Sequence, residues 1–390
     1  MYPVIFKIPG LNWSIPGFGL MMMIAFLFAI WWAAKRAEKS RANPEVILNC
    51  GFVALIAGVV GCRGMYVWHN WSQFSHHDGF IATLWAILDV SSGGLEFYGG
   101  FILSTILVPL WLVVVEKVSL RWYMDIIAPS AVVGLAFGRI GCFLNGCCYG
   151  AVCTLPWALS FPYGSPVASD QFKLGLAGAA YPKELIVARA DAITTGFTLI
   201  DRMDLLATDA DVAAAQKAED EARTRLEQLQ AAAPDGGKSR ELAAAEADFR
   251  TKRAKFRDIR ANMRKFNASA GQIRDLAAQY RSLPVHPTQI YSAVTAGLIA
   301  ILLNTLYWRR KRDGQVILTL LLIEPVTRIL LELIRTDNPI ESSGLTISQE
   351  IGIILSVLGA VGLLLLRRLP ARSPRAVEFV PEPEPKPKAK

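Results

Sequence analysis

Long apolar runs alternate with short basic clusters along this chain, and that alternation predicts its architecture. A helix needs roughly 20 mainly apolar residues to cross a bilayer. Such runs are read over about Gly17 to Ala34, Val46 to Trp68, from near Tyr98 to just before Glu116, and from about Asp125 into the stretch Gly138–Gly150. Three more follow at about Gln289 to Trp308, Val316 to Ile334 and Ile347 to Leu366. The apolar stretch around Phe80 to Val90 is too short to span and is expected at the interface. Basic clusters follow the first, third, fifth and seventh runs: Lys35-Arg36 with Lys39 and Arg41, Lys117 with Arg121, Arg309 to Arg312, and Arg367-Arg368. Lys and Arg accumulate on the cytoplasmic side. The pattern therefore predicts an all-α polytopic membrane protein of about seven spans, amino terminus outward and carboxyl terminus cytoplasmic. The end of the fourth run, Gly138–Gly150, then lies on the outer side.

The polar part between the fourth and fifth runs gives the domain plan: spans one to four over 1–149, an outer-side helical insertion over 150–285, spans five to seven over 286–370, and a disordered cytoplasmic tail over 371–390. Within the insertion, Asp211 to Gln230 reads as an Ala-rich charged helix and Pro234-Asp235-Gly236-Gly237 as a turn. Phe256, Ile259, Met263, Phe266 and Ile273 keep a heptad-like spacing suited to one side of a helical hairpin. Such an arm is either a solvated coiled coil with no chemistry or a docking surface for a protein partner.

Composition sharpens this reading. The 390 residues are 53% hydrophobic and 19% charged, with a mean hydropathy of +0.33. Apolar and charged positions must be segregated, as in a membrane protein with a soluble insertion. The net charge of +8 sits mainly beside the apolar runs, as a topology signal, and argues against nucleic acid as a partner. The start, Met1 to Pro16, lacks a basic n-region, so the first run is expected to remain a span.

Charges inside the runs are the candidates for chemistry, because an intramembrane charge is costly and usually functional. Glu324, Arg328 and Glu332 are four residues apart on one helical face, with Arg335 close to it. They form either an ion-pair ladder that fixes packing or the wall of a polar cavity. Arg139, within Gly138–Gly150, and Arg63 add positive charge, and four guanidiniums together could hold a phosphate. Arg63 taken alone suits snorkelling to the interface. Asp125, read as a helix start, suits a cap. Tyr98 before Gly99-Gly100 offers a phenol and backbone N–H groups to a ligand, or an interfacial anchor. His286, in His286-Pro287-Thr288-Gln289-Ile290-Tyr291, is either a hydrogen-bonded structural residue or a base. Cys142, Cys147, Cys148 and Cys153 lack the paired spacing of zinc sites, which leaves a disulfide, small packing residues or a nucleophile.

These motifs resemble one family. Gly138-Arg139-Ile140-Gly141-Cys142-Phe143-Leu144-Asn145-Gly146, with Gly150 after it, is similar to the signature of bacterial prolipoprotein diacylglyceryl transferases. The resemblance extends to Pro16-Gly17-Phe18-Gly19-Leu20-Met21, to Phe97-Tyr98-Gly99-Gly100, to His286 through Tyr291, and to Arg328 through Glu332 to Arg335. It leaves out an arm of about 165–283, where an envelope partner could dock. It implies transfer of diacylglyceryl from phosphatidylglycerol to the lipobox cysteine thiol of a prolipoprotein at the bacterial inner membrane, with the site on the periplasmic side. Glycerol phosphate leaves, and neither cofactor nor metal is expected. By matching position the resemblance places Arg139 and Asn145 in the lipid site, Arg328 in the essential polar core and Glu332 beside it. Together with the charge pattern, this gives Arg139, Arg328, Tyr98 and Glu332 as expected catalytic residues, and Asn145, Gly99, Gly100, Gly150, Phe18, Arg63, His286, Gln289, Tyr291 and Arg335 as expected substrate-binding residues. Two positions depart from the family pattern: Tyr98 stands where a histidine is usual, and Phe18 where a tyrosine is. Tyr98 then substitutes for the histidine, or the base is Glu332 or His286, or that position only orients substrate. A transporter with a polar intramembrane stripe and an inactive scaffold are the competing readings.

Overall fold

The computed structural model describes residues 4–8, 13–74, 79–89, 94–176, 181–182, 185–190, 195–199, 209–232, 242, 244–254, 256, 270–335 and 344–380. Two compact units emerge, one of Tyr2–Leu144 with Thr288–Lys390, the other of Asn145–Pro287.

The first unit is the membrane bundle. An antiparallel hairpin of β1 (Val4–Ile8) and β2 (Trp13–Pro16), which the apolar pattern does not reveal, leads into α1 (Gly17–Lys39) and α2 (Pro44–His69). Two short helices follow, α3 (Trp71–Phe74) and α4 (Phe80–Leu88), the latter being the run expected at the interface. Next come α5 (Phe97–Val114) and α6 (Leu120–Asn145). After the second unit the bundle resumes with three helices, for which the labels α11 (Thr288–Arg309), α12 (Gln315–Glu332) and α13 (Ile347–Leu366) are used, α7 to α10 belonging to the insertion. Six of these helices are long and apolar enough to cross a membrane: α1, α2, α5, α6, α11 and α13. The other expected span, α12, has 18 residues and carries Glu324, Arg328 and Glu332.

Large apolar side chains such as Phe52, Leu298 and Ile354 point outward, as suits helices bathed in lipid. Between helices in lipid, close packing of small residues replaces the hydrophobic effect. The α2–α5 crossing shows this: a Cβ on Gly61 would run into the Gly99 carbonyl, and one on Gly100 into Cys62 Sγ and the Gly58 carbonyl. At α12–α13, a Cβ on Gly359 would lie 2.7 Å from Leu322 N. The buried cluster that joins the bundle includes Ala37, Ile47, Leu112, Ile126, Leu303, Tyr307 and Val316.

Asp125 is not a helix start, since α6 begins at Leu120. It caps a different helix. Its fully buried carboxylate accepts from Gly314 N at 2.7 Å, Val316 N at 2.9 Å and Ile317 N at 2.9 Å, the otherwise unpaired donors at the start of α12. Gly314 takes a left-handed φ of +95° there, which glycine adopts without strain. Arg310 Nε, 3.3 Å from Asp125 Oδ2, supplies the counter-charge while its guanidinium stacks over the Tyr307 ring.

The tail was expected to be disordered from 371, yet residues 371–380 are held. Asp313 N donates to Ala371 O, Ser373 N to Asp313 Oδ2, and Phe379 N to Arg41 O. Hydrogen bonds from Arg41 and Arg372 hold the Glu378 carboxyl below its usual range. The segment 381–390 lies outside the described residues.

The second unit combines α7 (Pro166–Lys173), a β3–β4 hairpin (Ile186–Ala190 with Thr195–Leu199), α8 (Asp209–Ala232), α9 (244–254) and α10 (Ala270–Ala278). The α8 helix matches the expected charged helix. The expected turn at Pro234–Gly237 and heptad residues Ile259, Met263 and Phe266 lie outside the described residues. Ile273 does not line a coiled coil. It is 1% exposed in a small core with Tyr163, Ala168, Tyr181, Leu185, Leu199 and Ala277. Tyr163 OH donates to Leu185 O, and burial pushes the Tyr181 phenol's pKa up.

Removing a carboxylate that caps a helix and pairs with a buried arginine costs several kcal/mol, on the order of 3. Asp125→Ala is therefore expected to lower the thermal midpoint in detergent markedly, with Asp125→Asn recovering part of the loss. Intrinsic tryptophan fluorescence during heating checks this, and an unshifted midpoint would refute the capping role.

Candidate active site

The charged stripe of α12 forms inside the bundle. Arg328 Nη2 lies 3.4 Å and Arg335 Nη1 3.7 Å from Glu332 Oε2. Glu332 is 4% exposed, and its Oε1 accepts from Thr346 Oγ1 at 3.3 Å. Thr346 belongs to a capping box with Gln349 that starts α13. The Thr-x-x-Gln spacing before an apolar run is a sequence signal that locates this residue. One carboxylate thus organises two guanidiniums, so the pair carries net positive charge.

Arg139 lies in the last two turns of α6. It makes no hydrogen bond or ion pair among the described residues, and its Nε is fully buried. Arg139 and Arg328 both lie within electrostatic range of Glu324. A signature glycine sets the packing of α1 beside Arg139. A Cβ on Gly141 would lie 3.1 Å from Met21 Cβ and 3.2 Å from the Phe18 ring. Gly141 therefore lets α1 close on α6 two residues from Arg139, with Phe18, 39% exposed, at that contact.

Arg63 does not snorkel. It is buried, donating from Nε to Ile87 O at 2.8 Å, from Nη2 to Ala86 O at 2.7 Å and from Nη1 to Gly94 O at 3.1 Å. Cations suit the carbonyl end of a helix, and Arg63 fastens the carboxyl end of α4. Gly99 and Gly100 are also buried. The α2–α5 crossing accounts for both, where exposed N–H groups were expected. Tyr98 is 42% exposed and its hydroxyl lies 3.0 Å from Ser348 Oγ on α13. Ser348 was not foreseen.

Gln289, 1% exposed, and half-buried Tyr291 sit in the first turn of α11. In the other unit, α6 ends at Asn145. A turn through Gly146 (φ +78°) and Cys148 (φ +60°) follows it. Gly150 N donates to His286 O and His286 N to Ala151 O, each at 3.0 Å, so these two residues are joined through their backbones. None of the six cysteines, all described, forms a disulfide.

An apolar helical bundle enclosing a cluster of arginines and glutamates defines a multi-pass membrane protein with a polar site within it. The chain belongs to the prolipoprotein diacylglyceryl transferase family, whose profile matches residues 3–365. A phosphatidylglycerol–prolipoprotein diacylglyceryl transferase of Rhodopirellula baltica is 35% identical over 163 residues, 42% of this chain and 33% of that protein. Proteins of the same name from Aliivibrio salmonicida (33% identity, 42% of this chain, 56% of theirs) and Vibrio vulnificus (32%, 45% and 64%) are also similar. The chain thus spans less than two thirds of the length of each of these relatives.

The Arg63 tether makes a prediction of its own. Arg63→Gln is expected to speed amide exchange across Phe80–Leu88, measured by hydrogen–deuterium mass spectrometry in detergent. Unchanged exchange would mean that other contacts hold α4.

Proposed function

We propose that this protein transfers the diacylglyceryl group of phosphatidylglycerol to the thiol of a lipobox cysteine in prolipoproteins. The observation that carries the reading is Arg139: an intramembrane arginine with no hydrogen bond or ion pair among the described residues and with a buried Nε. A guanidinium within a membrane span that lacks an anionic partner is costly, and an arginine fork matches a phosphate. The names of the relatives supply the donor and acceptor.

In this mechanism the acceptor sulfur attacks the carbon of the diacylglyceryl group that bears the phosphate. The C–S bond forms, the C–O bond to phosphate breaks, and glycerol phosphate departs with the electron pair. The thiol proton leaves to a base, for which Glu332 and His286 are the alternatives. A free thiol ionises near pH 8.5, so charge on the departing phosphate is the larger demand. Arg139 and Arg328 meet that demand electrostatically. Glu332 orients Arg328 and Arg335. Tyr98, with Ser348 beside it, orients substrate. Asn145, Gly150, His286, Gln289, Tyr291 and Phe18 complete the binding residues. Gly99, Gly100 and Arg63 contribute through packing and the α4 tether. The alternating basic clusters support an inner-membrane setting with the site on the periplasmic side. The insertion, with its charged α8, is either a solvated helical arm or a docking surface for an envelope protein.

Purified protein incubated with phosphatidylglycerol and a lipobox peptide should yield a peptide heavier by one diacylglyceryl group. Arg139→Ala should lower turnover by about two to three orders of magnitude while inserting and melting like the parent. Absence of the adduct from the parent protein would overturn the transfer reading, and parent-like turnover by Arg139→Ala would overturn the phosphate role.

A further inference from the structure

The imidazole of His69 and the carboxylate of Glu96 form a pair that the mechanism above leaves unused. His69, exposed, is the last residue of α2, and Glu96, half-buried, immediately precedes α5. His69 Nδ1 lies 2.7 Å from Glu96 Oε2, while Nε2 makes no hydrogen bond or ion pair among the described residues. The neighbouring helices bring no other charge: α3, α4 and the first turn of α5 carry none. The Arg63 guanidinium is held on the carbonyls of Ile87, Ala86 and Gly94. His76, His77 and Asp78 lie outside the described residues. This part of the bundle is fastened without the pair. Glu96 N donates to Cys62 O at 3.0 Å, Arg63 holds Gly94, and the glycines of the α2–α5 crossing bring the two backbones together. An exposed ion pair adds little stability to such contacts.

A series of contacts runs from the pair to the charged stripe. Two residues after Glu96, Tyr98 OH lies 3.0 Å from Ser348 Oγ. Two residues before Ser348, Thr346 Oγ1 donates to Glu332 Oε1 at 3.3 Å, and Glu332 pairs with Arg328. The carboxyl ends of α2 and α12 and the starts of α5 and α13 therefore share one rim of the bundle. Trp68 and Trp71, both exposed, flank His69 as aromatics do at a membrane interface. A lipid phosphate and a thiol carried by a membrane-bound substrate meet at that depth.

We propose that His69 is the catalytic base: its Nε2 accepts the proton of the acceptor thiol, and Glu96 is the positioning residue that holds the ring. The inference rests on the transfer reading and names the proton acceptor, which the mechanism above leaves between Glu332 and His286. A carboxylate on one ring nitrogen fixes the tautomer and leaves the other nitrogen as the acceptor. Glu332 suits the task less. Its Oε2 is shared by Arg328 and Arg335 and its Oε1 accepts from Thr346, so protonation would release the arginines that the phosphate needs. In the step, the S–H proton moves to His69 Nε2 and the C–S bond forms. The C–O bond to phosphate breaks, glycerol phosphate leaves with the electron pair, and the imidazolium passes its proton to water.

The test follows transfer from phosphatidylglycerol to a lipobox peptide between pH 6.5 and 9 for the parent, His69→Gln, Glu96→Gln and His286→Gln. A free thiol that ionises near pH 8.5 is only about 3% thiolate at pH 7, so His69→Gln is expected to fall about 30-fold there. At pH 9 the thiol ionises unaided, and the same variant should come within about twofold of the parent. Glu96→Gln should lose less, with the same fading, and added imidazole should restore part of the turnover of His69→Ala. A residue that only shaped the rim would show one deficit at every pH. A deficit in His69→Gln that does not fade, or no deficit, overturns the proposal. So does a fading deficit found in His286→Gln instead. If the parent forms no adduct, alkylation of the peptide thiol by iodoacetamide at pH 7, without phosphatidylglycerol, decides. Faster alkylation with the parent than with His69→Gln means that the base stands and the transfer reading falls, whereas equal rates overturn both.

Discussion

The carboxylate of Asp125 fixes the helix on which the site depends. It gathers three backbone N–H groups at the start of α12 from a position inside α6. The start of a helix must find acceptors, and here a neighbouring span provides them in a buried setting. The same contact sets the height of α12 against α6. Arg139 lies on α6, and Glu324, Arg328 and Glu332 lie on α12. Their relative position therefore follows from one cap near the other end of both helices. Arg310, in ion-pair contact with Asp125 and stacked on Tyr307, supplies the counter-charge to that cap. The adjoining Asp313 draws the segment after α13 into the same region.

The bundle's arginines divide by what they hold. Arg36 is buried on Ile126 O, Ser130 Oγ and Asn304 Oδ1, tying α1 to α6 and α11. Arg63 serves the carbonyl end of α4, and Arg310 serves Asp125. Arg328 and Arg335 share Glu332. Each has a structural occupation that explains its presence within apolar surroundings. Arg139 makes no hydrogen bond or ion pair among the described residues. That contrast, rather than the number of charges, singles out a place for an anionic ligand.

The span pattern was legible because period and charge act locally. Apolar runs and the clusters after them located helices to within a few residues. Partnerships across helices were not legible. Asp125 was seen as a cap, but its recipient lies 189 residues away in the chain. Gly99-Gly100 suggested backbone open to a ligand, because nothing local announces Gly58 and Gly61 on a neighbouring helix. Arg63 suggested snorkelling because its acceptors are backbone carbonyls, which carry no residue signature. The small core around Ile273 escaped notice for a related reason. A heptad-like spacing also fits a helix packed against strands, and the short β3–β4 hairpin has no strong alternation. Arg139 was the exception: an arginine between glycines at the end of an apolar run is conspicuous without tertiary knowledge.

The central claim is that Arg139 and the α12 stripe form a clamp for a lipid phosphate, and retained lipid measures it most directly. Native mass spectrometry of protein exchanged into an equal mixture of phosphatidylglycerol and phosphatidylcholine should find phosphatidylglycerol bound in preference by the parent. That preference should be lost in Arg139→Ala. Equal retention of the two lipids by the parent, or an undiminished preference in Arg139→Ala, would contradict the account.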